Sequence, residues 1–278
     1  MQDLEHMGQR ANAKAQEHSE KIEFLAKIGW GAKGALYVTL GSLAVMAAVG
    51  EGGGLHGSKG VLQWLSGEPF GRVLLVAAGV GFFCYALWRF VLAAFGSGRP
   101  GSKAKKIARR VGSAVSGGMH VALGIAAIQM MMGSGGGGSS KQTWLAKMMS
   151  AGTWGVVLVA VLGIVIIGVG LFQFKKAAKL GFMKEVDEGQ MSRKEVGVLR
   201  AVGRAGLAAR GVVFPLIGYF LIAAAVHHNP SKAKGTAGAL SEVAQTSWIA
   251  LAVIATGLAA YGVLNLFYVR YRQIPLSA

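Results

Sequence analysis

The 278-residue sequence has few charged residues, a single cysteine and no acidic residue in the middle of any long apolar stretch. Charged residues make up 15% of the chain, whereas they make up about a quarter of an average soluble domain. Because hydrophobic residues account for 53% of the chain, a soluble globular fold is disfavoured. The single cysteine, Cys84, excludes an intramolecular disulfide and any cysteine-based zinc or iron–sulfur site.

The sequence also lacks the residue patterns that enzymes and proton-driven transporters use. It has no nucleophile–base pair, no paired carboxylates and no zinc-ligand spacing. Its 12 acidic residues lie in predicted loops, in the N-terminal tail or at span ends, whereas proton-coupled pumps typically need an intramembrane carboxylate or histidine chain. We therefore expect no enzymatic activity, no cofactor, no metal site and no proton-driven antiport.

Six apolar stretches each approach the roughly 20 residues that a helix needs to cross a bilayer. They cover 28–49, 69–95, 111–132, 152–174, 206–226 and 248–269. The sequence therefore predicts an all-α integral membrane protein with six transmembrane helices.

The net charge of +17 is compatible with nucleic-acid binding, but the positions of the basic residues favour another interpretation. When the loops are assigned alternately to the two membrane sides, 23 of the 29 Lys and Arg residues fall on the side that carries both termini. This bias predicts cytoplasmic termini in a bacterial inner membrane, because basic loops remain on the cytoplasmic side. We expect no nucleic-acid partner, and an attraction of the basic loops to anionic headgroups.

Three segments align without gaps, at 27–41, 110–124 and 204–218, and in each a basic residue and three glycines recur in register. The second apolar stretches also align, so that Tyr85 and Arg89 match Val169 and Gln173, and then Tyr261 and Asn265. A fixed repeat of this kind predicts three tandem helical hairpins with pseudo-threefold order about an axis along the membrane normal. The predicted organisation is a polar cytoplasmic tail (1–23), repeat 1 (24–98), repeat 2 (99–182), a cytoplasmic linker (183–200) and repeat 3 (201–278).

Three short motifs carry a resemblance to a known family. They are Ala-Arg-Gly-Val-Val-Phe at 209–214, Pro-Phe-Gly-Arg-Val-Leu-Leu at 69–75, and Gly-Phe-Phe-Cys-Tyr-Ala-Leu-Trp-Arg at 81–89. The chain resembles, over 24–272, the bacterial domain-of-unknown-function 1206 membrane proteins, in which a transmembrane helix pair occurs three times. The resemblance implies a fold and topology but no activity. The middle copy departs from the pattern at Ser116 and Val169, which argues against a function requiring three equivalent sites.

The alignment also brings polar residues to one depth near the cytoplasmic membrane face. Lys33, Ser116 and Arg210 are equivalent on the first helices, and Arg89, Gln173 and Asn265 on the second. Basic side chains near helix ends either extend to the headgroups or face inward and bind a phosphate, a lipid headgroup or another anion. The candidate residues for such an anion or headgroup site are Lys33, Arg89, Arg210, Gln173 and Asn265.

One turn deeper, Tyr37, His120 and Phe214 are equivalent. His120 is either a hydrogen-bonded structural histidine or a metal or haem ligand, and the first is favoured because the other histidines are terminal or in outward loops. The alternating charges of 175–205 predict a surface helix, either solvated or docked to a partner. The outward connections, 50–68, 133–151 and 227–247, are short and rich in Gly and Ser. Within them, 133–140 is predicted to be a flexible linker rather than a phosphate-cradling loop, because it lacks the Gly-Lys-Ser/Thr ending and an adjoining strand.

Two functions from different classes fit these observations. The favoured one is a non-enzymatic structural or accessory membrane protein that interacts with anionic lipids or with other membrane proteins, including copies of itself. The alternative is a small channel or facilitator for anions along the pseudo-threefold axis. An axis closed by apolar side chains favours the first, and a continuous wet path favours the second.

Overall fold

The computed structural model describes the backbone of residues 2–96, 101–133 and 140–272, and the side chains of 20–96, 101–133 and 145–272. Within these ranges the chain is helical and forms no β-strand beyond a single bridge between Val186 and Arg272. The helices are α1 (Gln2–Val49), α2 (Ser58–Ser66), α3 (Gly71–Phe95), α4 (Lys103–Met131), α5 (Ser140–Met149), α6 (Thr153–Ala178), α7 (Arg193–Val226), α8 (Thr236–Thr246) and α9 (Trp248–Tyr271).

Six of these helices are long and apolar enough to cross a membrane: α1 from Glu20 onward, α3, α4, α6, α7 and α9. This confirms the predicted all-α fold with six spans. Helix α1 begins at Gln2 and is 48 residues long, so the predicted N-terminal tail continues directly into the first span. Repeat 1 comprises α1 and α3, repeat 2 comprises α4 and α6, and repeat 3 comprises α7 and α9.

The most extensive helix contacts join different repeats, at the pairs α1/α9, α3/α4 and α6/α7. Glycines of the first helices approach aligned residues of the second helices at each interface, as small residues permit in membrane bundles. These contacts are Gly34 with Leu266, Gly117 with Phe90 and Gly211 with Phe174, and one level further Gly41 with Ala259, Gly124 with Phe83 and Gly218 with Ile167. Aligned residues thus make equivalent contacts three times, which is the predicted pseudo-threefold order.

Within the repeats, the helix pairs are not equivalent. In repeat 1 a Cβ added to Gly29 would lie 2.6 Å from the Cα of Tyr85, and in repeat 3 one added to Gly206 would lie 2.5 Å from that of Tyr261. The aligned Gly112 of repeat 2 would meet no described atom within 4 Å, and α4 and α6 share no extensive contact in the described chain. The six spans therefore form a ring that is interrupted between α4 and α6, an opening that we call the α4–α6 gap.

Each of the connections 50–68, 133–151 and 227–247 contains a short helix, α2, α5 or α8, which the sequence did not predict. Apolar residues three or four positions apart hold them to the bundle, as with Val61 and Leu65 in α2, and Leu62 and Leu240 are buried. Most of the predicted flexible linker, residues 134–139, lies outside the described chain. We call the side of the bundle that carries α2, α5 and α8 the loop side, and the opposite side the basic side.

The connection on the basic side differs from the predicted surface helix. Residues 179–192, which we call the basic-side linker, contain two 3-10 turns, Met183–Glu185 and Glu188–Gln190, before α7 begins after the Ser192 capping box. Phe182 is fully buried and contacts Gly203 of α7. Because Met183 and Val186 are buried as well, apolar burial holds the linker against the bundle despite its many charges.

Candidate functional site

Lys33 extends from α1 into the interior of the bundle. Its ammonium nitrogen donates to the hydroxyl of Tyr85 on α3 at 3.3 Å. The same nitrogen lies 5.0 Å from the centre of the Tyr85 ring and 5.4 Å from that of Tyr261 on α9. Lys33 therefore contacts aromatic residues of two other helices, which differs from the alternative in which it extends to the headgroups.

Arg210 on α7 approaches the same group of rings. Its guanidinium carbon lies 4.2 Å from the ring centre of Tyr261, 4.5 Å from that of Phe214 and 5.6 Å from that of Tyr37. The rings of Tyr37 and Tyr261 pack edge to face, with centres 4.8 Å apart. A cation over an aromatic face gains about 0.5–2 kcal/mol, so these rings stabilise the Arg210 charge.

Arg89 and His120 connect this group to α4. One terminal nitrogen of Arg89 donates to the carbonyl oxygen of Gly112 at 3.3 Å, beside the α4–α6 gap. A ring nitrogen of His120 lies 2.7 Å from the carbonyl oxygen of Ser116, and its ring centre lies 4.3 Å from that of Tyr85. These are contacts of a structural histidine.

Lys33 and Arg210 both lie over the ring of Tyr261, and Tyr85 joins Lys33 to His120. Arg89 follows Tyr85 by one helical turn and bonds to Gly112, one turn before Ser116. The three side chains therefore converge on one region of the bundle. We call Lys33, Arg89 and Arg210, together with Tyr37, Tyr85, His120, Phe214 and Tyr261, the central cation cluster.

The two amide residues among the predicted candidates, Asn265 and Gln173, differ in their hydrogen bonds. Asn265 is buried and donates from its side-chain nitrogen to the carbonyl oxygen of Tyr261 at 2.6 Å, so it lies directly beside the cluster. Gln173 on α6 is only 6% exposed, and neither polar atom of its side chain has a hydrogen-bond partner in the described chain. The structure thus brings four of the five candidates together, whereas Gln173 shares their aligned depth but makes no hydrogen bond to them.

Charge balance distinguishes the central cation cluster from an ordinary buried ion pair. Among the described side chains, no carboxylate forms an ion pair with Lys33, Arg89 or Arg210. Lys33 and Arg210 both lie over the ring of Tyr261, and like charges held this close repel each other strongly where the dielectric constant is low. The Nε atoms of Arg89 and Arg210 are also buried without a described partner. The cluster therefore has the charge and the donors to bind an anion.

A second basic group lies nearer the basic-side linker. Arg272 pairs with Glu185 at 3.1 Å, and Lys176 pairs with the same carboxylate at 2.7 Å. The guanidinium of Arg272 lies 4.6 Å from the ring centres of both Trp30 and Tyr268. These residues close the basic side next to repeat 3, and here each cation has a carboxylate partner.

Sequence reasoning missed two parts of this arrangement. The tyrosines at 85 and 261 served only as markers of the repeat, although each lies one helical turn before a predicted site residue. Arg272 was interpreted only as a charge that sets topology. The signal for an ion pair at this end of the bundle was Glu185, an acidic residue set among the apolar residues Phe182, Met183 and Val186.

The loop-side half of the bundle is filled with apolar side chains. Leu36 and Leu40 of α1 pack in one cluster with Val213 of α7 and Leu258 of α9, and all four are buried. Residues of α2 and α8 complete the same cluster. Within the described chain, these apolar side chains fill the space between α1, α7 and α9 on the loop side.

The six spans and their repeated glycine contacts define a multi-pass α-helical membrane protein built from three copies of one helix pair. The model of the family described as Domain of Unknown Function (DUF1206) matches residues 28–96, 111–179 and 205–272. The chain therefore belongs to the DUF1206 family, as its motifs indicated.

One curated relative is similar over most of both chains. The uncharacterized protein YxxB of Bacillus subtilis (strain 168) is 34% identical over 249 residues, which cover 89% of this chain and 90% of that protein. No solved structure matches this chain. Neither the family description nor the name of the relative states an activity.

Proposed function

We propose that this protein is a non-enzymatic accessory protein of a bacterial inner membrane, which binds the headgroup of an anionic lipid in the central cation cluster. The observation that carries this proposal is the convergence of Lys33, Arg89 and Arg210 without a described carboxylate partner. Unpaired cations inside a membrane protein are costly. An anion that neutralised them would stabilise the folded protein.

The donors in the cluster suit a phosphate group. A guanidinium presents a planar fork that holds phosphate bidentately, and Arg210 is positioned by the rings of Tyr37, Phe214 and Tyr261. An ammonium has three N–H donors, of which the hydrogen bond from Lys33 to Tyr85 uses one. Both cations therefore retain donors for the oxygens of a headgroup.

The distribution of basic residues supports the orientation that this proposal requires. With 23 of 29 Lys and Arg residues on the side of the termini, the basic side faces the cytoplasm. The cytoplasmic leaflet is rich in anionic lipids, which attract basic segments at about 1 kcal/mol per residue. The cluster then lies within reach of the anionic headgroups of that leaflet.

The test measures lipid retention by native mass spectrometry on protein purified with phosphatidylglycerol. We expect wild type to retain the lipid and Arg210→Gln to lose about tenfold in affinity, the change that 1.4 kcal/mol produces. Arg210→Lys should fall between them, because lysine keeps the charge but not the planar fork. Arg204→Gln, an exposed position on the same helix, is the matched control. Equal retention by all four proteins would contradict the proposal.

A further inference from the structure

The α4–α6 gap has a specific cause in the sequence of repeat 2. In repeat 1, Gly81 of α3 faces Ala32 of α1, and in repeat 3, Gly257 of α9 faces Ala209 of α7. The aligned residues of repeat 2 are Val115 on α4 and Val165 on α6. These valines are 57% and 54% exposed, so the small-residue contact that closes the other two pairs is replaced by two exposed branched side chains.

A second difference lies nearer the basic side. Tyr85 and Tyr261 close repeats 1 and 3 by packing on Gly29 and Gly206, whereas the aligned residue of α6 is Val169, which is exposed. The two walls of the α4–α6 gap therefore lack a closing contact at two successive levels: Val165 with Val115, and Val169 with the open side of Gly112.

The gap leads to the central cation cluster. Gly112, which lines the gap, accepts a hydrogen bond from Arg89. His120, two turns further along α4, packs on the ring of Tyr85, which accepts a hydrogen bond from Lys33. Lys33 in turn shares the ring of Tyr261 with Arg210. An apolar opening that faces the bilayer thus ends at three cations without a described carboxylate.

We propose that the α4–α6 gap is a lateral portal for a diacyl anionic phospholipid, whose headgroup binds the central cation cluster while its acyl chains lie along Val115, Val165 and Val169. This proposal rests on the proposed function and adds the route by which the lipid enters and the place where its acyl chains lie. The loop side is closed by the buried apolar cluster around Leu36 and Leu40. The basic side next to repeat 3 is covered by Arg272 and the basic-side linker. A lateral route suits a ligand that arrives from the bilayer with apolar chains.

Charge favours a lipid over a second copy of the chain as the occupant of the gap. Another copy would bring its own net charge of +17 to a region that already holds three cations. A phospholipid supplies a negative headgroup and apolar chains in one molecule, which matches the cations and the valine walls together.

The first experiment uses phosphatidylglycerol with a photoreactive diazirine at the end of one acyl chain, in nanodiscs of neutral phosphatidylcholine. We expect cross-links at Gly112 and Val115 of α4 and at Val165 and Val169 of α6 that decrease about tenfold in Arg210→Gln, as loss of one charge-assisted contact produces. Cross-links to Val73, exposed on α3, report ordinary surrounding lipid and should not change. Gap cross-links that are as insensitive to Arg210→Gln as those at Val73 would overturn the portal.

The second experiment gives repeat 2 the contacts of the other repeats. The variant Val115→Ala/Val165→Gly/Val169→Tyr should close the gap and reduce phosphatidylglycerol retention about tenfold, without touching a cation. The matched control places the same residue types on other exposed faces of the two helices, as Ile128→Ala/Ile164→Gly/Leu171→Tyr, and should retain the lipid. Circular dichroism in detergent checks that both variants fold. If the closed variant does not fold, the cross-linking experiment, which needs no change in repeat 2, still tests the portal.

The outcomes separate the portal from the proposed function. If the closed variant retains lipid while Arg210→Gln loses it, the portal is wrong and headgroup binding stands. If neither variant loses lipid and the cross-links do not depend on Arg210, both proposals fail. Inorganic phosphate, titrated by calorimetry, tests the need for acyl chains: binding as tight as that of phosphatidylglycerol would also overturn the portal.

Discussion

Aligned glycines of the three repeats have different surroundings, although the sequence around them is similar. Gly206 lies against the backbone of Tyr261, whereas Gly112 faces open space in the described chain. A glycine within a helix is less favourable than alanine by about 0.5–1 kcal/mol, so its retention at Gly206 is explained by the close approach of another helix. At Gly112 no such contact requires it.

This difference predicts opposite effects of one substitution. Gly206→Ala places a Cβ 2.5 Å from the Cα of Tyr261, and such overpacking typically lowers the free energy of unfolding by about 1–3 kcal/mol. Gly112→Ala should leave it unchanged or raise it by about 0.5–1 kcal/mol. Thermal unfolding in detergent, followed by circular dichroism, measures both. Equal destabilisation of the two variants would contradict the helix arrangement of repeat 2.

The depth of the candidate residues was predictable from the repeat, but the contacts of their side chains were not. Lys33 and Arg210 align at one level, and that level follows from residue spacing. Their partners come from other helices: Tyr85 and Tyr261 for Lys33, and Tyr37 for Arg210. Which helices are neighbours depends on the packing of the whole bundle, so spacing alone left snorkelling and inward binding open.

At the scale of whole elements, the sequence predicted the long helices but not the short ones. The spans of α3 and α6 are continuous apolar runs of bilayer length, which hydropathy identifies directly. The short helices α2 and α8 have 9 and 11 residues and lie in Gly- and Ser-rich connections. Their only signal is a small apolar set such as Val61, Leu62 and Leu65, and it takes effect only because the bundle offers a surface on which to bury it.

The basic-side linker depends on one buried aromatic side chain. Phe182 is fully buried against α7, and truncation of a buried phenylalanine typically costs about 3–5 kcal/mol. Phe182→Ala should therefore lower the thermal unfolding temperature and speed tryptic cleavage after the exposed Lys184, because the backbone of the linker is no longer held against α7. The control Phe95→Ala removes a ring that is 76% exposed and should change neither measurement. Unchanged cleavage at Lys184 in Phe182→Ala would show that the linker is held by other contacts, such as the ion pairs of Glu185.

At the scale of the whole molecule, the chain forms an interrupted ring in which the most extensive helix contacts lie between repeats rather than within them. The repeat alignment predicted three equivalent units, and the contacts of Gly34, Gly117 and Gly211 confirm that equivalence. The interruption was signalled at Val169, where repeat 2 lacks the tyrosine of the other copies. The gap itself was not predictable from the sequence, because the sequence does not show that this tyrosine packs on the first helix and closes the helix pair.

The orientation of the ring in the membrane can be tested by cysteine labelling. Lys103 is exposed at the start of α4 on the basic side, and Glu51 is exposed after α1 on the loop side. In a Cys84→Ala background, a membrane-impermeant maleimide should label Glu51→Cys from the periplasmic face and Lys103→Cys only after the inner membrane is opened. The reason is that the basic side, with most of the 29 Lys and Arg residues, stays in the cytoplasm. Lys184→Cys, exposed in the linker, should behave like Lys103→Cys, and labelling of all three from one face would contradict the six-span arrangement itself.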